Sequence, residues 1–128
     1  MTYHFTKTLD SSFDEAITRV TAALKSEGFG ILTEIDVQNA FKEKLGVDFR
    51  KYRILGACNP AMAHKALQAE DKIGTMLPCN VVVQETDSGR IEVSAVAPLA
   101  SMQAVDNPDL AAVAQSVQAK LNSVVDSL

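Results

Sequence analysis

Two β-rich runs, Asn80 to Thr86 and Arg90 to Ala97, are separated only by Asp87-Ser88-Gly89, and so short a connection obliges the chain to turn back on itself. Glycine at its end supplies the positive φ that three-residue hairpin loops often require. An antiparallel sheet is therefore the first fixed point. Further on, Asn107-Pro108 reads as a helix cap followed by a first-turn proline. Leu110, Val113, Ala114, Val117, Leu121, Val124, Val125 and Leu128 then fall along one helical stripe. Such a stripe must cover an apolar surface, and the sheet is the natural one.

The preceding residues supply the rest of that sheet. Tyr3 to Leu9 alternates as a strand, with Tyr3, Phe5, Lys7 and Leu9 on one side. Ser12 with Glu15 forms a capping box, and Phe13, Ala16, Ile17, Val20 and Leu24 repeat at helical spacing up to Gly28. Phe29, Ile31, Thr33 and Ile35 alternate with Gly30, Leu32 and Glu34 in a second strand. Asp36 caps a short helix from Val37 to Leu45 that Gly46 ends, and Tyr52 to Ala57 is a third strand. Asn59-Pro60 opens another short helix to about Ala69, and Gly74 and Pro78 bound a connecting loop. The spacing predicts one domain over residues 1–128 in the α+β class. Its core is β-α-β(4)-α: an antiparallel sheet with two main helices on one face and two short helices in connections. A doubly wound nucleotide fold is disfavoured, because no strand-to-helix turn carries GxGxxG or a Walker loop.

Charge narrows the partners. Sixteen acidic and 12 basic residues give a net charge of −4, and the lysines and arginines are dispersed. That argues against a nucleic-acid surface, which needs many phosphate contacts; the one basic run, Arg50-Lys51-Tyr52-Arg53, reads as a solvated strand edge. The opening MTYHFTKTLD lacks a signal-peptide core, and no apolar run approaches the ~20 residues of a membrane span. The expectation is a cytoplasmic protein, with no nucleic acid and no membrane, whose two cysteines stay reduced.

Reactive groups concentrate between Gly56 and Val83, which holds both cysteines, one of two histidines and two of four methionines. If the third and fourth strands are antiparallel neighbours, Cys58 and Cys79 meet at one sheet end, with Met62 and His64 on the intervening helix and Met76 on the way back. Thiolate and thioether favour Cu(I), and thiolate with imidazole favours zinc. The plainer reading is a pair of buried, inert thiols, since cysteine is among the most buried residues and methionine fills core gaps. His64 and His4 read as ordinary surface histidines, and Asp36 and Asp71 as a helix cap and a solvated carboxylate. No Ser-His-acid set or paired carboxylate motif is legible.

These same residues carry a resemblance. Ser26 to Val37, Phe41 to Leu67 and Ile73 to Val83, with the tripeptides Cys58-Asn59-Pro60 and Leu77-Pro78-Cys79, are similar to the domain-of-unknown-function 302 family over nearly the whole chain. The resemblance implies a TATA-binding-protein-like α+β fold, often a homodimer, and no established reaction. Three functions follow as expectations. The first is a non-catalytic, homodimeric binding or sensory protein. It would hold a small ligand or metal near Cys58, Asn59, His64, Met76 and Cys79, with Cys58, His64 and Cys79 as the metal set. The groove between Val113, Val117, Leu121 and the sheet is a second location. The second function is a thiol-disulfide protein cycling Cys58 and Cys79, which needs their Cα atoms within about 7 Å. The third is a structural, partner-docking module with an exposed apolar patch. Whether the protein is an enzyme, and which cofactor it takes, the residues leave open.

Overall fold

The computed structural model describes residues 2–128. Its elements run β1 (His4–Leu9), α1 (Phe13–Ser26), β2 (Gly30–Asp36), α2 (Val37–Leu45), β3 (Tyr52–Cys58), α3 (Pro60–Ala69), a 3₁₀ helix (Asp71–Met76), β4 (Cys79–Glu85), β5 (Ile91–Val96), α4 (Pro98–Ser101) and α5 (Pro108–Asp126). The five strands form one antiparallel sheet in the order β1-β5-β4-β3-β2. This is the α+β arrangement that the hairpin and the stripe predict. Among the described residues no helix is long and apolar enough to cross a membrane.

The caps lie where the sequence places them. Ser12 Oγ accepts from the Glu15 amide at 3.1 Å, and Asp36 Oδ1 from the Asn39 amide at 3.0 Å. Gly46 ends α2 with φ of 66°. Helices α1 and α5 pack on one sheet face, where Phe13, Val20, Leu24, Leu121 and Val124 close over Leu55, Val81, Val83, Val93 and Ala95. Fully burying such side chains contributes roughly 1.5–3 kcal/mol each before entropy is counted.

Three features depart from the expected pattern. The segment expected as a loop between Gly74 and Pro78 is largely a 3₁₀ helix, and Pro98–Ser101 forms a short helix where none is predicted. In β2 the register shifts: Ile31 pairs with Ala57 but Thr33 with Gly56, leaving Leu32 as an extra, bulged residue. A bulge reverses the side-chain alternation, so Ile31 shares the helix-covered face while Thr33 and Ile35 stand on the open one.

Lengths explain what happens at one end of the sheet. A 19-residue helix is about 28 Å long, whereas strands of six or seven residues reach about 20–23 Å. The first turns of α5 therefore project past the sheet. They pack instead with α3, the 3₁₀ helix and α4, around a second cluster of Ala66, Ile73, Met102, Leu110 and Ala114.

Candidate functional site

Between the main core and this second cluster lies a cavity of about 330 Å³. Ala57 and Cys58 at the end of β3 and Cys79 at the start of β4 form its sheet wall, and Val113, Ala114 and Val117 of α5 lie across it. Met62, Ala63, Ala66 and Leu67 of α3 close one side; Pro98, Met102 and Leu110 contribute from beyond the sheet end. Interiors normally pack to crystal density. Here alanine stands at four lining positions (57, 63, 66 and 114), and the shortage of side-chain volume under the projecting helix leaves the space.

The lining is almost wholly apolar. Its carboxamide, Asn59, is already engaged: Oδ1 accepts from the Met62 amide at 3.3 Å to cap α3, and Nδ2 donates to the Glu27 carbonyl at 3.5 Å. Gly28 makes room for that side chain, with φ of 85° and an added Cβ that would lie 3.1 Å from Asn59 Nδ2. Four sulfurs contribute, from Cys58, Cys79, Met62 and Met102. Both cysteines are free, Cys58 half-buried and Cys79 buried. Cys79 pairs across the sheet with Ala57, so Cys58 is one position along. Burial, and then the neighbouring Cys58, push the Cys79 thiol up from 9.0 to about 11. It is a neutral, apolar wall group at physiological pH.

Of the residues singled out in the sequence, Cys58, Asn59 and Cys79 line the cavity, as do Val113 and Val117; the two anticipated locations are one space. Leu121 lies in the main core. His64 on α3 and Met76 at the end of the 3₁₀ helix are exposed and do not line it. Among the described residues no three His, Cys, Asp or Glu side chains are gathered as a metal set, so Cys58, His64 and Cys79 are not brought together as one. Spacing does not reveal Leu32, Pro98 or Met102, which reach the cavity through a bulge and an unforeseen short helix.

Comparisons with known proteins match this architecture. A family model described as domain of unknown function DUF302 matches residues 5–128. The crystal structure of an uncharacterised conserved protein DUF302 from Bacillus stearothermophilus is similar at a TM-score of 0.91. The two share 30% sequence identity, over 98% of each chain. None of the curated proteins compared with the chain matches it.

Proposed function

The chain belongs to the DUF302 family, and from that starting point we propose that it is a non-catalytic binding protein holding a small apolar ligand in the cavity between β3, β4, α3 and α5. The observation that carries this reading is the cavity itself, about 330 Å³ with an apolar wall, within the ~300–1,000 Å³ range of small-molecule sites. An unfilled apolar space of that size costs stability, and a ligand bound only by the folded chain restores it. The raised Cys79 pKa weighs against the thiol-disulfide alternative, because the thiolate is the reacting species.

The neutral fluorophore N-phenyl-1-naphthylamine tests the reading. It should bind saturably at one site per chain, and Ala66→Phe should abolish the signal while leaving the thermal midpoint equal or higher. Ala114→Leu, a smaller filling change, serves if the phenylalanine disturbs folding. Absence of saturable binding to the wild-type chain sinks the reading.

A homodimer belongs to the same proposal. Across the sheet face that α1 and α5 leave open, Ile35, Ile54 and Val82 stand in one cross-strand row, and Ile35 is 49% exposed. A second copy covering that row is the favoured occupant. Sedimentation equilibrium should give twice the chain mass, and Val82→Glu should return it to one; a monomer at every concentration removes this part without touching the cavity.

A further inference from the structure

Exposure is not uniform around the cavity. Phe29, Ala66, Cys79, Leu110 and Ala114 are buried, whereas Leu32 is 68% exposed and Leu67 43% exposed, with Gly74 also at the surface. The cavity therefore has an inner end and a mouth, and the mouth is as apolar as the interior. Leu32 is there because it is the bulged residue of β2, and Leu67 because α3 sets it beside the 3₁₀ helix, where an added Cβ on Gly74 would lie 4.0 Å from Leu67 Cδ2.

The inner end offers nothing to a charged or strongly polar group. Both ends of the Asn59 carboxamide are occupied by backbone partners, and the remaining side-chain heteroatoms of the lining are sulfur, a weak hydrogen-bonding partner. A carboxylate or ammonium carried inside would lose its water without replacement. At the mouth the same group keeps its hydration.

Resting on the cavity reading above, we propose that the ligand is a single-tailed amphiphile that enters tail first, its hydrocarbon chain filling the cavity and its polar head remaining in solvent beyond Leu32 and Leu67. The volume sets the tail. At the ~30 Å³ that a water-sized group occupies, about 330 Å³ accommodates a chain of about ten methylenes.

Displacement of N-phenyl-1-naphthylamine by n-alkanoates and n-alkyltrimethylammonium ions, from hexyl to tetradecyl and below their micelle concentrations, tests this. Affinity should rise about fourfold per methylene, the effect of burying one CH₂, and level off near decyl. Anionic and cationic heads should share one slope and differ little at equal length. Leu32→Ser, at an exposed position that leaves the core intact, should weaken the longest tails and spare the shortest. Bound decanoate should slow alkylation of Cys58 by N-ethylmaleimide. A flat dependence on length, a large preference for one head charge, or affinity that climbs without levelling overturns the proposal. Failure of the fluorophore to bind at all would instead defeat the cavity reading beneath it.

Discussion

Gly56 is where one methyl group would be felt most sharply. A Cβ there would lie 2.1 Å from Thr33 Oγ1 and 2.7 Å from Pro78 Cγ, far inside van der Waals contact, so Gly56→Ala must shift the Thr33 side chain and the proline ring before β4. Overpacking of this kind costs about 1–3 kcal/mol, which urea unfolding would read. Adding Thr33→Ala should recover part of the loss by removing the shorter contact, while wild-type stability in the single variant would mean that the approach is not rigid. At Cys79 the consequence is a pH dependence. Its folded pKa lies above the ordinary 9.0, at about 11, so the folded chain holds that proton more tightly than the unfolded one. The stabilisation is complete below pH 9 and is lost as pH rises toward 11, a change of order 2 kcal/mol. Unfolding free energies across that window should fall more steeply for wild type than for Cys79→Ala. Parallel slopes would show that the thiol is not desolvated.

At the next scale up, Asn107 joins the two helices that frame the cavity. Its Oδ1 accepts from the Asp109 and Leu110 amides at 3.1 and 3.4 Å, and its Nδ2 donates to the Ala69 carbonyl at 2.8 Å. Asn107→Ala loses both functions and should cost about 1–3 kcal/mol. Asn107→Asp keeps the capping oxygen but loses the donor to Ala69 and sets a carboxylate beside Glu70, whose Oε1 is 3.4 Å from Nδ2. Because that variant adds repulsion from Glu70, Asn107→Ser, which keeps a capping oxygen without the charge, isolates the tie between α3 and α5 if a deficit persists in it, and full stability there would show that capping alone matters. Elements such as these were legible because their signals are local: Ser12, Asp36, Asn59 and Asn107 cap where they stand in sequence, and Gly89 turns the hairpin. The bulge at Leu32 was not, because a strand with one extra residue reads like any alternating strand until its partner sets the register. Nor was the 3₁₀ helix after Glu70, which carries no side-chain cap. Part of the site was visible as Cys58, Asn59, Cys79, Val113 and Val117; the space itself arises from a helix longer than its sheet, and that is a relation between elements rather than a property of one.

For the molecule as a whole, two apolar clusters share one long helix, and the cavity separates them. The second cluster contains fewer buried residues and no sheet, so it should open locally at lower free energy than the main core. Hydrogen exchange followed by mass spectrometry should find α3 and the first turns of α5 less protected than β3, β4 and β5, and bound decanoate should slow exchange there selectively. Uniform protection would mean that the clusters unfold as one unit. The bulge that brings Leu32 to the cavity mouth has a consequence on its other side. Strand β2 closes one end of the sheet order, and its outer edge, with Leu32 and Ile35 exposed, invites a foreign strand to add. An extra residue throws the edge amides and carbonyls out of step with any regular newcomer. The same irregularity that sets Leu32 at the cavity mouth thus discourages the sheet from growing into fibrils.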